Sequence, residues 1–293
     1  MPPRRIAKRH PENRKIHYPI HYPTRSTLNP HFVESDPQHF KKLDSVLLCQ
    51  KCQKQHPRHG LRSISLCGLP GIGKKTLAQE YSASRSTHFD FCLRVSAATI
   101  AQDFENICRI LQLRRIPHFI DARVPENDRA KTLVKTWLHS PCQDASRMKF
   151  QKVRWLLIFE DVRDPKQLDG YWPGYGDGGI VLITTNPVFK DALWCTAPGI
   201  DVQPLVSWCG RELLIGLAQE RNRRAGGSED GNIARFLQSK IFCERVSVAL
   251  GNIPAAIELM SRSGLAEWEN TYRLFNDVQS APFSSKAWIK SGV

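Results

Sequence analysis

The chain has 293 residues, a formal net charge of +14 at pH 7, 41% hydrophobic residues and 24% charged residues. This composition predicts an ordinary globular protein with room for a sizeable core. No apolar run approaches the roughly 18 residues that cross a membrane, and the N-terminus lacks the apolar core of a secretory signal. The nine cysteines are odd in number, and several fall in apolar runs. They favour buried thiols in a reducing, cytoplasmic location.

Residues 1–30 carry much of the positive charge. Seven Lys or Arg residues stand against the single acid Glu12 in the first 25 positions, and prolines interrupt them. Without a helical period, such a segment is typical of a solvated, disordered arm. Two alternatives remain open: the arm could bind nucleic acid, or it could act as a nuclear address.

Residues 31–60 form a lead-in segment. Apolar residues at helical spacing predict a short helix over Phe40–Leu48. The following Cys49, Cys52, His56 and His59 are residue types that bind zinc. Their spacing does not match a zinc finger, whose two halves lie about twelve residues apart. We therefore favour a polar connection over a zinc site.

The most informative stretch is LRSISLCGLPGIGKKTLAQ, residues 61–79. A short apolar run predicts a strand, a glycine-rich loop follows it, and a helix is predicted over Lys74–Ser84. A G-x-x-x-x-G-K pattern between strand and helix is the phosphate-binding P-loop. Its glycines let backbone amides approach an anion closely, and its lysine reaches the phosphates. The candidate nucleotide-binding residues are Gly68, Gly71, Ile72, Gly73, Lys74, Lys75, Thr76 and Leu77.

Alternating strands and helices follow the loop. Strands are predicted over residues 88–95, 153–159, 180–184 and 199–204, and helices over residues 99–113 and 127–138. This order indicates an α/β fold with a mostly parallel sheet. Glu160 and Asp161 close the most apolar run, VRWLLIF. At the carboxyl end of such a strand, acids can hold magnesium and polarise water, so both are candidate catalytic residues.

From Ser207 onward the pattern is helical. Helices are predicted over residues 211–221, 233–250 and 265–275, and a further helix begins at Ala255 after Gly251-Asn252-Ile253-Pro254. We expect a small helical bundle beside the sheet. The expected organisation is a disordered arm (1–30), a lead-in segment (31–60), a P-loop subdomain (61–205), a helical subdomain (206–280) and a tail (281–293).

Taken together, these segments resemble the NB-ARC nucleotide-binding domain of the STAND class of P-loop NTPases, most of all its fungal versions. The matching stretches span about residues 29–260 and include SISLCGLPGIGKKTLAQEY, WLLIFEDV, GIVLITTNP and LGNIPAAIELM. The resemblance implies that ADP or ATP is bound. It assigns an adenine contact to Pro254, an acidic pair to Glu160 and Asp161, and a phosphate-sensing role to the segment Thr184-Thr185-Asn186. Its candidate nucleotide contact there is Thr185.

Three residues differ from the NB-ARC pattern at positions that are expected to lie near the phosphates. Lys75 stands where the magnesium-binding hydroxyl is expected, Glu160 stands where the family has aspartate, and Asn186 replaces the arginine that senses the γ-phosphate. The family's F-V-G-R-E segment appears as FVESD, without its Gly-Arg. An ammonium group repels Mg²⁺, so the sequence leaves open whether Thr76 and Glu160 hold that ion. We expect Lys75 to replace the charge of the metal.

The leading interpretation is therefore an ADP- or ATP-binding signalling module with weak or no hydrolysis, acting as a truncated or decoy partner of full-length NB-ARC relatives. One alternative is an active ATPase switch completed by another chain. Another is a nucleic-acid-binding protein that uses the basic arm, and a third is a small-molecule kinase, against which the GNIP segment argues. A decayed family member that binds nothing is also open.

Overall fold

The computed structural model describes residues 29–33, 36, 38–48, 61–115, 124–139, 153–174, 176, 178–184, 195–224, 239–263 and 265–280. Strands and helices alternate in its first part, and only helices follow. The elements are α1 (Gln38–Leu47), β1 (Arg62–Cys67), α2 (Lys74–Ser84), β2 (Phe91–Ser96), α3 (Ile100–Ile110), α4 (Glu126–His139), β3 (Trp155–Val162), β4 (Gly179–Thr184), β5 (Ile200–Asp201), α5 (Ser207–Arg224), α6 (Lys240–Ala249), α7 (Pro254–Ser261) and α8 (Leu265–Ser280). Short 3-10 helices lie at Leu113–Arg115 and Pro165–Leu168.

The five strands form one parallel sheet in the order β2-β3-β4-β1-β5. Because all strands run the same way, their carboxyl ends meet at one edge, where ligands bind in open α/β sheets. The loop after β1 and the end of β3 both lie at this edge. The predicted fold class, an α/β P-loop NTPase sheet followed by helices, is confirmed.

Side chains alternate between the two faces of the sheet and form two cores. On β3, Leu156 and Ile158 pack in the core that contains α1 and α2. Trp155, Leu157 and Phe159 pack in the core that contains α3 and α4. Because both faces are buried, β3 reads in the sequence as a continuous apolar run.

A third core joins the helices after the sheet. Leu214 of α5, Cys243 and Val246 of α6 and Ile257 of α7 are fully buried there, and Trp268 of α8 packs with them. Val33 of the lead-in segment also contacts this core. The subdomain boundaries at residues 205 and 280 stay a prediction. No helix in the described ranges is long and apolar enough to span a membrane.

The predicted bounds and the observed ones agree best where the chain gives a local signal. Helix α2 covers the predicted residues 74–84. Strand β3 continues to Val162. Glu160 and Asp161 therefore lie within the C-terminal end of the strand and not after it. The predicted last strand shortens to two residues, and helix 233–250 is described only from Lys240. The predicted arm before Asn29, the residues Cys49 to His59 and the tail lie outside the described residues.

Trp155 offers a test of the core around β3. Its side chain is fully buried, and its indole N–H donates a hydrogen bond to the carbonyl of Leu138 at 2.9 Å. We expect Trp155→Ala to lower the free energy of unfolding by about 3–5 kcal/mol, because it leaves a cavity and an unpaired carbonyl. Trp208 is 54% exposed and is the matched control. Denaturant unfolding followed by circular dichroism measures both variants, and equal losses would contradict the assignment of this core.

Candidate functional site

The loop between β1 and α2 is shaped by glycines. Gly68, Gly71 and Gly73 have φ angles of +149°, +74° and +96°, a region that other residues adopt at a cost. A Cβ on Gly68 would lie 2.6 Å from the carbonyl oxygen of Val202, and one on Gly71 would lie 2.8 Å from the Cβ of Ala255. The backbone therefore curves into a cradle that only glycine permits at these positions.

Lys74 begins α2 and folds back over this cradle. Its Nζ donates hydrogen bonds to the carbonyl oxygens of Gly68 at 2.8 Å and of Leu69 at 2.7 Å. The side chain is buried, and this burial lowers the pKa of Lys74. The neighbouring charge of Lys75 lowers it further. A buried ammonium above a loop of amides at a helix N-terminus attracts an anion.

Lys75, the next residue, points to the end of β3. Its Nζ lies 2.5 Å from Oδ2 of Asp161 and 3.5 Å from Oε2 of Glu160. Burial alone would lower the pKa of Lys75, but the hydrogen bond to Asp161 and the charge of Glu160 raise it overall. Lys75 therefore carries its charge throughout the physiological pH range and neutralises part of this acidic pair.

Arg94 of β2 contacts the same acidic pair from the other side. Its Nε and Nη2 each lie 2.5 Å from Oε1 of Glu160, whose side chain is only 10% exposed. Glu160 thus has a cation at each carboxylate oxygen. The sequence interpretation did not include Arg94 in the site.

Asp161 reaches Lys75 through an unusual backbone. It has φ of +57°, and the pairing of β3 with β4 shifts register between Phe159 and Val162. A positive φ is uncommon within a strand, although aspartate adopts it more readily than most residues, and such conformations concentrate at functional sites. The bulge turns the Asp161 carboxylate toward α2, where it is half exposed.

A cavity of about 820 Å³ opens beside the loop. One part of its lining is polar and includes Lys74, Lys75, Thr76 and Asp161. Another part is apolar and comes from the lead-in segment and the helices. The apolar lining includes Phe32, Val33, Leu205, Leu213, Leu217 and Pro254.

The first turn of α7 closes one side of this cavity. The amide of Ala255 donates a hydrogen bond to the carbonyl oxygen of Gly71 at 3.2 Å. Pro254 begins the helix and lines the cavity opposite Gly73. The segment Gly251-Asn252-Ile253-Pro254 thus connects the helices to the glycine loop between β1 and α2. Within this segment, Asn252 lies in the left-handed region at φ +53°.

The structure gathers most of the candidate residues in one place. Lining the cavity are Gly71, Gly73, Lys74, Lys75, Thr76, Leu77, Asp161 and Pro254. Gly68 and Ile72 belong to the loop, and Glu160 lies behind Lys75, outside the cavity lining of the described residues. Thr185 and Asn186 lie outside the described residues. The sequence interpretation missed the cavity residues Asn29, His31, His39, Arg163 and Glu258, which lack a motif of their own.

The residues present do not fit a magnesium ion. Both oxygens of Glu160 face cations, and Asp161 is bonded to Lys75. In the part of the chain that the structure describes, no group of three or more His, Cys, Asp and Glu side chains could hold a metal ion. An ammonium group in contact with both carboxylates opposes a divalent cation by direct repulsion. The role of Thr76 and Glu160 as metal ligands stays a prediction, and the ion pairs of Glu160 oppose it.

No protein-family model matches the sequence, and no curated protein is significantly similar to it. Solved structures that are similar to this chain include the following two. Cdc6p from Pyrobaculum aerophilum has a TM-score of 0.47 and 16% identity over 84% of this chain and 66% of that chain. PCH-2 from C. elegans has a TM-score of 0.42 and 13% identity over 75% of this chain and 61% of that chain.

This chain thus spans less than two thirds of the length of both structures. The assignment to the P-loop NTPase fold class rests on the parallel sheet and on the glycine loop between β1 and α2.

Gly71 tests the contact between the loop and α7. We expect Gly71→Ala to lower the free energy of unfolding by about 1–3 kcal/mol, because the new Cβ meets Ala255 and the backbone keeps a positive φ. The matched control is Gly174→Ala, since Gly174 is exposed with nothing within 4 Å of its added Cβ. Thermal and denaturant unfolding compare the two variants. Equal free energies of unfolding for the Gly71→Ala and Gly174→Ala variants would contradict a close contact between the loop and α7.

Proposed function

We propose that this protein is an adenine-nucleotide-binding module of the NB-ARC type with weak or no ATP hydrolysis. The observation that carries the proposal is the single cavity that Lys74 of the glycine loop and Pro254 of α7 both line. A nucleotide has an anionic and an aromatic part. This cavity offers a matching pair of surfaces.

The loop fits a di- or triphosphate by its shape and charge. Its glycines leave space that a Cβ would fill, and Lys74 is buried beside it. Lys74 now donates hydrogen bonds to two carbonyl oxygens, and a bound phosphate would take their place as the acceptor. Backbone amides at the start of α2 favour the same anion.

The apolar part of the lining suits a purine base. Phe32 and Val33 come from the segment that precedes the sheet, and Leu213 and Leu217 lie four residues apart on α5. Apolar walls with a few polar groups are typical of pockets for small aromatic ligands. Pro254 stands at the boundary with the loop and supports the adenine contact that the NB-ARC resemblance implies.

Hydrolysis is proposed to be weak because the groups that promote it are occupied or replaced. Phosphoryl transfer depends on a metal ion that bridges phosphate oxygens and on a carboxylate that acts on the metal or on water. Here Lys75 stands in place of the hydroxyl, and Glu160 is held by Arg94. ADP, or ATP without tight dependence on Mg²⁺, is the proposed ligand. Full-length NB-ARC relatives are the proposed partners.

Binding of fluorescent ADP tests the proposal. We expect saturable binding by the purified full-length chain and at least about tenfold weaker binding by Lys74→Ala, because the buried ammonium is the charge closest to the loop. Lys41→Ala, on the exposed surface of α1, is the matched control. Co-purifying ADP, detected by mass spectrometry of the native protein, would support the same conclusion. Binding that Lys74→Ala leaves unchanged would exclude the cavity as the nucleotide site.

Phosphate release from ATP separates this proposal from an active ATPase. We expect no release above the blank in the presence of Mg²⁺, since the carboxylates at the end of β3 are already paired with cations. Turnover that disappears in Lys74→Ala would show an active enzyme. The same result would contradict the proposal of weak hydrolysis.

A further inference from the structure

Arg94 belongs to none of the motifs that the sequence predicted for the site. It lies on β2, and β2 pairs with β3 so that Ser96 is opposite Glu160 and Arg94 is opposite Ile158. Arg94 and Glu160 are therefore diagonal neighbours on the sheet face that carries α2. A long side chain on one strand reaches the carboxylate on the other at this spacing. Arg94 Nε and Nη2 each lie 2.5 Å from Oε1 of Glu160, so the side chain spans this gap.

The contact between Arg94 and Glu160 neutralises the charge of the buried carboxylate. A carboxylate that is mostly buried is costly unless a cation pairs with it. Arg94 approaches one oxygen of Glu160 with two nitrogen atoms, while Lys75 is 3.5 Å from the other oxygen. Removing Lys75 alone would still leave Glu160 neutralised. The departure of position 75 from the P-loop pattern is thus not the only obstacle to a metal ion.

We propose that Arg94 is a specificity-determining residue that makes this site select the metal-free nucleotide over its magnesium complex. The inference rests on the proposed function and names the ionic form of its ligand. Arg94 cancels the charge of Glu160, and Lys75 presents a fixed positive charge at the cavity edge. A nucleotide that already carries Mg²⁺ meets this ammonium with its metal, whereas the free nucleotide meets it with phosphate oxygens.

The physical preference follows from charge alone. Free ADP has more negative charge than its magnesium complex and is attracted more strongly to Lys74 and Lys75. A metal ion would need carboxylate oxygens, and those of Glu160 and Asp161 are in ion pairs with Arg94 and Lys75. Adding Mg²⁺ should therefore leave ADP affinity unchanged or weaken it. A site that coordinates the metal shows the opposite response.

Substitution of Lys75 and Arg94 tests this role. Titrations of fluorescent ADP with excess EDTA or with Mg²⁺ give the ratio of dissociation constants for each variant. All variants carry Asp161→Asn, because Lys75→Thr would otherwise free the Asp161 carboxylate to bind the metal. For the wild type, for Asp161→Asn and for Lys75→Thr in this background we expect Mg²⁺ to leave binding unchanged or weaker, because Arg94 still holds Glu160. For Lys75→Thr with Arg94→Thr we expect Mg²⁺ to tighten binding by roughly tenfold, as a hydroxyl and a free carboxylate become available.

Two further double variants serve as controls. Lys75→Thr with Arg94→Lys keeps a cation beside Glu160 and should remain unresponsive to Mg²⁺. Lys75→Thr with Arg109→Thr removes an exposed arginine of α3 and should behave as Lys75→Thr alone. Arg94 as a merely structural residue would change the melting temperature without changing the ratio between Mg²⁺ and EDTA.

The outcomes are separable. Tighter binding with Mg²⁺ in Lys75→Thr alone, or indifference to Mg²⁺ in the folded Lys75→Thr, Arg94→Thr variant, would overturn the role of Arg94.

If that double variant does not fold, Glu160→Gln provides the second measurement. With its partner neutral, the charge of Arg94 is no longer cancelled, so ADP without metal should bind more tightly; equal or weaker binding would overturn the inference. Failure of the wild type to bind ADP under any condition would refute the proposed function itself.

Discussion

The ion pairs among Lys75, Arg94, Glu160 and Asp161 are the interaction on which the site depends. They join the start of α2, the strand β2 and the end of β3 at the edge of the sheet where the cavity lies. Two consecutive lysines at a helix N-terminus are unfavourable, because both face the positive end of the helix dipole and each other. The acidic pair offsets this repulsion. The group still has a net positive charge beside the loop, because Lys74, Lys75 and Arg94 face only two carboxylates.

The helices depend on the same loop from the opposite side. The amide of Ala255 is bonded to Gly71, and the amide of Leu205 is bonded to the carbonyl of Asn252 at 3.0 Å. The Ser247 hydroxyl donates to Oδ1 of Asn252 at 2.7 Å, which supports the left-handed turn before Pro254. The cavity wall thus has two fixed sides. The loop and α7 are thus joined by a backbone hydrogen bond as well as by side-chain packing.

The sequence predicted the parts that follow from local pattern. The spacing of glycines and lysine identified the loop, and the run VRWLLIF identified a strand buried on both faces. Three features depend on tertiary structure and could not be read from the chain. The ion pair of Arg94 with Glu160 joins residues 66 positions apart and requires the register of β2 on β3. The bulge that turns Asp161 requires the pairing of β3 with β4, and the bond from Ala255 to Gly71 requires the packing of the helices.

The charges at the cavity edge show how the proposed site would attract a phosphate without a metal ion. Three side-chain cations, Lys74, Lys75 and Arg94, are grouped with two carboxylates. One lysine, one divalent ion and the same two carboxylates would have an equal net charge. Attraction of phosphate is therefore retained, since it depends on charge and on the amides of the loop. In the proposed function, an ammonium group supplies charge but has no coordination sphere, so it would not bridge two phosphate oxygens. Nucleotide binding would then occur without efficient catalysis, because phosphoryl transfer needs the bridge as well as the charge.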